Sequence, residues 1–371
     1  MTPERDWSPF VAAGLLDGDS ATAEARKALL EFLLEHGCTV DEMVTANDRG
    51  RLFGLAGDRA LRPGAFTRTL SDVARDTGAD ETMVRRLWRS LGLLGWDSDA
   101  PVASHEDVEA FQTVMLASEF VGEAMTLEMA RSVGAGLSRI ADAVQSLGRT
   151  VSPTGSVATS GDELETARFW AAAAPVVASL GAVLDVLFRH HYEVARWHFE
   201  RSDSIDLMLR GRARLAVAFV DMSGFTSAAE QLGATEFEQL VKAFMTDVSD
   251  TVHDRGGRVV KFVGDAAMFV APDALTLATI TRGLVAEQVR ENGLALHAGL
   301  AYGEVLTRDG DCFGSAVNLA ARLAALAGAG SVLASADVGR VLAEAGWEID
   351  FVEPQTIRGF AEPVPTCRVV L

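Results

Sequence analysis

Leu215-Ala-Val-Ala-Phe-Val220 runs into Asp221, and further on Val259-Val-Lys-Phe-Val263 runs into Gly264-Asp265 and then Ala266-Ala-Met-Phe-Val270. Short apolar runs bounded by turn residues suit central strands. Between them Phe237, Leu240, Val241, Phe244, Met245, Val248 and Val252 keep to one helical face, and Gly256-Gly257 stops the pattern. The order strand, helix, strand, tight turn, strand brings Asp221 and Asp265 to adjacent strand ends.

Two carboxylates at one end of a buried sheet raise each other's pKa unless a cation sits between them. Hard oxygen donors favour Mg2+ or Mn2+, which bind through one or two carboxylates together with substrate phosphates. After Asp221 the chain continues Met222-Ser223-Gly224-Phe225-Thr226, a small turn leading into a helix. Its free N–H groups and the helix N-terminus suit a polyphosphate. Either aspartate alone also reads as an ordinary cap or turn residue, so the weight lies on the set. That set extends to Lys261 and to Asp311-Cys-Phe-Gly-Ser-Ala-Val-Asn318-Leu-Ala-Ala-Arg322, where Asn318 and Arg322 share one helical face.

With these pieces in order, and Ile357-Arg-Gly-Phe-Ala-Glu-Pro-Val364 near the end, the segment from Arg212 onward resembles the catalytic domain of class III adenylate cyclases. The resemblance implies an α+β fold, a palm with a ferredoxin-like βαββαβ core spanning 212–371. It implies that Asp221 and Asp265 hold two divalent metal ions, Mg2+ or Mn2+. Lys261 would donate to an adenine ring nitrogen, and Asp311 would accept from the exocyclic amine. Asn318 would orient the ribose, and Arg322 would stabilise charge on the α-phosphate. ATP is the implied substrate, and a homodimer with sites at the subunit interface is the implied assembly. The related guanylate cyclases read their base with glutamate and cysteine, which draws attention to Cys312. The family spacing counted back from Asn318 nevertheless lands on Asp311, and the other reader is a lysine, so adenine is implied.

The 371 residues, nearly half of them hydrophobic, suffice for two domains with cores of their own. A formal net charge of −19 argues against nucleic acid or an anionic membrane as a general partner. Cys38, Cys312 and Cys367 show no pairing or metal-ligand spacing, which suits a reduced cytoplasmic compartment. Met1-Thr-Pro-Glu-Arg-Asp lacks a signal-peptide pattern. The longest uncharged stretch, Phe169 to Leu184, contains Pro175, Ser179 and Gly181 and is short for a membrane span. It reads as a buried helix.

Residues 1–189 read as an all-helical regulatory domain, 190–211 as a connector helix or linker, and 212–371 as the catalytic domain. Ser20 caps a predicted helix that Gly37 ends. Leu70, Val73 and Ala74, then Thr77-Gly78-Ala79, then Met83, Val84 and Leu87 have a helix-turn-helix look, with Arg85, Arg86 and Arg89 on the second helix. The alternative reading is therefore a DNA-binding regulator with a nucleotide-sensing cyclase-like domain. Gly148 to Gly161 reads as a surface loop, and Pro175 as a kink or break in the helix that follows. His190, His191 and His198 cluster ahead of the first catalytic strand, where a helix abutting that strand can transmit force. The first half resembles, more weakly, the helical regulatory domain of bacterial pH-regulated adenylate cyclases. That resemblance implies autoinhibition with a possible pH signal.

Overall fold

The computed structural model describes residues 5–17, 22–61, 64, 66–151, 162–200, 211–287 and 295–371, without the side chains of 149–151, 197–200, 226 and 287. It divides into two units, Met1–Arg189 and His190–Leu371. The first is helical: α1 (Ser8–Ala12), α2 (Ala23–Glu35), α3 (Val40–Asp48), α4 (Leu55–Leu61), α5 (Leu70–Thr77), α6 (Glu81–Ser90), α7 (His105–Val121), α8 (Glu123–Val151) and α9 (Glu163–Glu200), the last running past the division. One core gathers Phe10, Leu29, Leu30, Leu33, Met43 and Leu52. A second gathers Leu70, Val73, Val84 and Leu87, which are among the inward residues expected of the helix-turn-helix pair, together with Trp88 and with Phe111 of α7. Polar caps set the helix starts: Thr39 and Thr69 each form a capping box, with Glu42 and Asp72, and Asp80 accepts from the Met83 N–H. The arginines that would face DNA are engaged within the unit. Arg85 donates to Glu81, Asp99 and the Trp96 carbonyl, Arg86 pairs with Glu123, and the Arg89 guanidinium lies 4.8 Å from the Trp96 ring centre.

Several sequence expectations change here. Ser20, the proposed cap, lies outside the described residues, as do 152–161 of the proposed loop and 201–210 of the connector. Residues 148–151 of that loop belong to α8. Pro175 lies inside α9 and does not end it. The expectation that Phe169–Leu184 is a buried helix is not met. The helix buries a narrow small-residue stripe, Ala167 and Ala174, while Val176, Val183, Val186, Leu187 and Phe188 are exposed. By length and composition alone α9 would cross a bilayer, with a mean hydropathy of 2.0 in its most apolar window. An apolar run announces that a helix will be covered, and leaves open whether its own chain does the covering.

The second unit is built on one mixed sheet. β1 (Arg212–Met222) lies antiparallel between β3 (Ala266–Ala271) and β4 (Leu296–Arg308), and β2 (Arg258–Val263) flanks β3. β5 (Asp311–Phe313) pairs with β4. Beyond β4 come β6 (Val332–Ser335), parallel to it, then β8 (Val364–Val369) and β7 (Ile349–Gln355). The helices are α10 (Phe225–Gln231), α11 (Ala234–Asp254), α12 (Ala274–Arg282), α13 (Ser315–Leu326) and α14 (Ala336–Glu344). The spatial order β2-β3-β1-β4 and the chain order through β4 make the expected ferredoxin-like βαββαβ core.

Strand alternation sorts β1 into two faces. Ala216, Ala218, Val220 and Met222 pack with Leu240, Phe244, Val248 and Val252 of α11 and with residues of α12 and α14. Val217 points the other way and shares a core with Ala301 and Val305 of β4 and Ala316 and Ala320 of α13. Burial on both faces explains the uninterrupted apolar run. α13 sits directly on the β4 backbone. A Cβ at Gly299 would stand 2.1 Å from the Ala324 nitrogen and 2.2 Å from the Ala320 carbonyl oxygen. The alanines of Ser315–Leu326 and this glycine are one feature, a helix seated without side chains between it and the strand.

Gly299→Ala is therefore expected to lower the stability of the C-terminal unit by at least about 2 kcal/mol, because the added methyl meets backbone that has nowhere to move. Urea unfolding followed by circular dichroism reads this as a lower midpoint; an unchanged midpoint would mean that α13 docks less closely.

Candidate active site

Asp221 follows Val217 and Phe219 on the α13 face of β1, opposite Ala266 of β3 and His297 of β4. The two-residue turn Gly264-Asp265 joins β2 to β3, and the Met222 N–H donates to the Asp265 carbonyl at 3.3 Å, tying that turn to the end of β1. Burial raises the Asp221 carboxyl above its ordinary range, and the Asp265 charge adds to the effect, while His297 opposes it. Asp221 Oδ1 is buried with no hydrogen-bond partner. Oδ2 lies 3.8 Å from His297 Nε2, and His297 Nδ1 lies 2.9 Å from the Ser223 hydroxyl.

Among the described residues no group of three or more His, Cys, Asp and Glu gathers as a metal cluster. A pair of carboxylates with one orphaned oxygen fits a different kind of site, a hard divalent cation that completes its shell with substrate phosphates. The residues present suit such an ion, and its charge would offset the burial and the Asp265 charge that lift Asp221.

Lys261 and Asp311 meet as an ion pair, with side chains 40% and 26% exposed. Their meeting depends on a bulge. The β2–β3 register shifts between Val259 and Lys261, so Arg258 lies opposite Val270 and Lys261 opposite Met268. Val270 and Met268 both belong to the α13-face core. Arg258 and Lys261, three apart, would point to opposite faces of a regular strand; the extra residue puts them on one. Asp311 Oδ1 also accepts the Cys312 N–H at 2.7 Å.

Asn318 and Arg322 lie on the exposed side of α13, opposite buried Ala316, Ala320 and Leu323. One chain thus joins the two metal-type carboxylates, joins Lys261 with Asp311, and presents Asn318 and Arg322 outward. In the expected phosphate loop not every N–H is free. The Ser223 N–H is taken by the Ala295 carbonyl at 2.9 Å, and Phe225 turns inward, its ring 5.2 Å from that of Phe237. Gly224 is the N-cap of α10, whose first-turn N–H groups have no acceptor within the helix. The Thr226 side chain lies outside the described residues. His190 and His191 are exposed on α9, and the His198 side chain lies outside the described residues. Cys38, Cys312 and Cys367 are free and buried, and burial pushes the thiols of Cys38 and Cys367 up to about 11.

Two residues of this region escaped the sequence reading. His297 is a lone histidine in the apolar strand Leu296 to Ala301, which was the available signal, but only the β1–β4 register sets it against Asp221. Arg258 carried no signal, because its direction depends on the bulge.

The family model for the adenylate cyclase regulatory domain matches residues 10–195, and that for the adenylate and guanylate cyclase catalytic domain matches 210–367. The chain is 38% identical over 365 residues to an uncharacterized protein of Mycobacterium tuberculosis, covering 98% of this chain and 94% of that one. It is 30% identical over 367 residues to a pH-sensitive adenylate cyclase of Mycobacterium tuberculosis, covering 95% and 89%. An adenylate cyclase of Streptomyces coelicolor is 31% identical over 267 residues, covering 70% and 68%.

The Asp221 carboxyl, raised in the folded chain, takes up protons on folding. Stability therefore falls as pH rises from the ordinary carboxylate range through the raised value. Asp221→Asn, uncharged throughout, is expected to raise the melting temperature of the metal-free chain at neutral pH by about 2–4 °C. Mn2+ is expected to raise the melting temperature of the parent further, and the substitution to erase that rise. A variant that melts lower, or still gains from Mn2+, would contradict the account of this pair.

Proposed function

Since the chain belongs to the adenylate cyclases that join a helical regulatory domain to a class III catalytic domain, we propose that it converts ATP to 3′,5′-cyclic AMP and pyrophosphate at sites shared by a homodimer. The observation that carries this is the buried, partnerless Oδ1 of Asp221 beside Asp265, on the same sheet face as the Lys261–Asp311 pair. The ribose 3′-oxygen attacks the α-phosphorus and gives up its proton to solvent, the bond to the β-phosphate's bridging oxygen breaks, and pyrophosphate leaves with the electron pair. Asp221 and Asp265 would hold divalent ions, which when bound would supply charge for the phosphates and acidify the attacking hydroxyl. Lys261 and Asp311 exchange their mutual contact for the adenine edge, a donor to the ring nitrogen and an acceptor for the amine. Asn318 orients the ribose and Arg322 meets the charge on the α-phosphate. No side chain is assigned as a base, since phosphoryl transfer rests on positioning and charge stabilisation.

The outward placement of Asn318 and Arg322 supports their serving the site of a second copy. The exposed apolar residues of α9 supply further surface for that copy. An exposed Asp185–Arg189 pair and His190 and His191 on the same helix weigh against a bilayer and for a cytoplasmic protein. Those histidines, ahead of β1, are where a pH signal would enter.

The test is cyclic nucleotide formation by the full chain with Mg2+ or Mn2+, using ATP and GTP. The parent should favour ATP. Lys261→Glu with Asp311→Cys should reduce that preference at least about fivefold, as an adenine edge left unpaired costs about 1–3 kcal/mol. Unchanged preference in the double variant would move base reading elsewhere.

A further inference from the structure

We infer that Arg258 is a positioning residue for base selection, clamping the β4–β5 hairpin on both sides of Asp311 and so setting how strongly adenine is preferred over guanine. The inference rests on the reading of Asp311 as the adenine contact.

Asp311 stands on weak support. β5 has three residues and pairs with β4, with Arg308 opposite Asp311, Thr307 opposite Cys312 and Leu306 opposite Phe313. The turn between them is Asp309-Gly310, with φ of 54° and 77°, the two left-handed residues of a type I′ hairpin. So short a ladder at a strand end frays readily. The second support comes from β2, across the curled sheet. Arg258 Nη1 donates to the Gly310 carbonyl at 3.1 Å, and Nη2 approaches the Cys312 sulfur at 3.8 Å. One planar guanidinium therefore grips the residue before Asp311 and the residue after it.

That grip reaches the carboxylate through covalent geometry. Asp311 Oδ1 is held by the N–H of Cys312, the residue whose sulfur Arg258 engages, and Oδ2 by Lys261. Cys312 is buried, and burial raises its thiol, so the acceptor that Arg258 meets is neutral. The same bulge that turns Lys261 toward Asp311 turns Arg258 toward the hairpin. One irregularity in β2 thus delivers both the base reader and the brace of its partner. Adenine and guanine present opposite donor and acceptor patterns on the edge concerned. Discrimination then depends on leaving the wrong base with unpaired groups, which requires a carboxylate that does not swing to accommodate it.

The experiment measures kcat/KM for ATP and GTP in the full chain carrying Arg258→Met, Arg258→Lys, Asp311→Ala, and Arg258→Met with Asp311→Ala. Methionine keeps an apolar stem of comparable reach and removes the donors, and lysine restores one point charge without the fork. R258M should lower the ATP-over-GTP ratio about five- to tenfold, the scale of a lost hydrogen-bonded support, with R258K in between. D311A should lower it further, and the double variant should match D311A, because a brace acting through Asp311 has nothing left to position. A merely structural arginine would add its effect to that of D311A. Calorimetric binding of non-cyclisable ATP and GTP analogues supplies the same ratio where turnover is too slow, and R258K carries the test if R258M fails to show a cooperative melt. A parent-like ratio in the arginine variants beside a collapsed one in D311A overturns the inference and leaves the reading of Asp311 standing. An additive double variant overturns it too. An unchanged ratio in D311A overturns both.

Discussion

Two carboxylates held at one end of a buried sheet oppose each other, and the surrounding structure is what holds them there. Asp221 has its place from a strand that is apolar on both faces and registered against β3 and β4, so its backbone cannot shift without unpairing the sheet. Asp265 is tied to the same spot by the hydrogen bond from Met222. The result is an oxygen without a partner and a carboxyl lifted from its ordinary range. Such a local cost persists where the rest of the fold over-determines it, and where a ligand removes it.

The division of labour between the two faces of the sheet follows from that constraint. The face under α11, α12 and α14 is packed with aliphatic and aromatic side chains, and the named catalytic candidates are absent from its core. The α13 face carries Asp221, His297, Lys261 and Arg258 by register, and α13 itself brings Asn318 and Arg322. Gly299 lets that helix lie directly on the strand. A bulge in β2 is a small feature, yet it decides which of that strand's side chains share the α13 face. The helical unit has a different logic. Its two cores are ordinary packing, while α9 keeps much of its apolar surface outward.

The strands and the helix around Asp221 and Asp265 were legible because apolar periodicity and glycine stops are local signals. The helix-turn-helix packing was legible for the same reason. What escaped reading was non-local. Nothing in Val259-Val-Lys-Phe-Val263 marks a bulge, since valine, lysine and phenylalanine alternate plausibly in either register. His297 looked like one more strand residue until pairing set it opposite Asp221. Ser223 looked like a free N–H donor until Ala295 came near. Phe169 to Leu184 looked like core because composition records that a helix will be covered, not by what. Pro175 promised a break that the long helix absorbs.

Each proposed site draws on two copies of the chain, Asp221 and Asp265 from one and Arg322 from the other. Differently tagged Asp221→Ala and Arg322→Ala chains, each inactive alone, can be mixed and the heterodimer isolated through both tags. One of its sites then has both defects and the other has neither. Cyclic AMP formation should reappear at up to about half the parent rate per dimer, as a two-fold arrangement of shared sites requires. A purified heterodimer that stays inactive would place both residues in one chain's site and contradict the account.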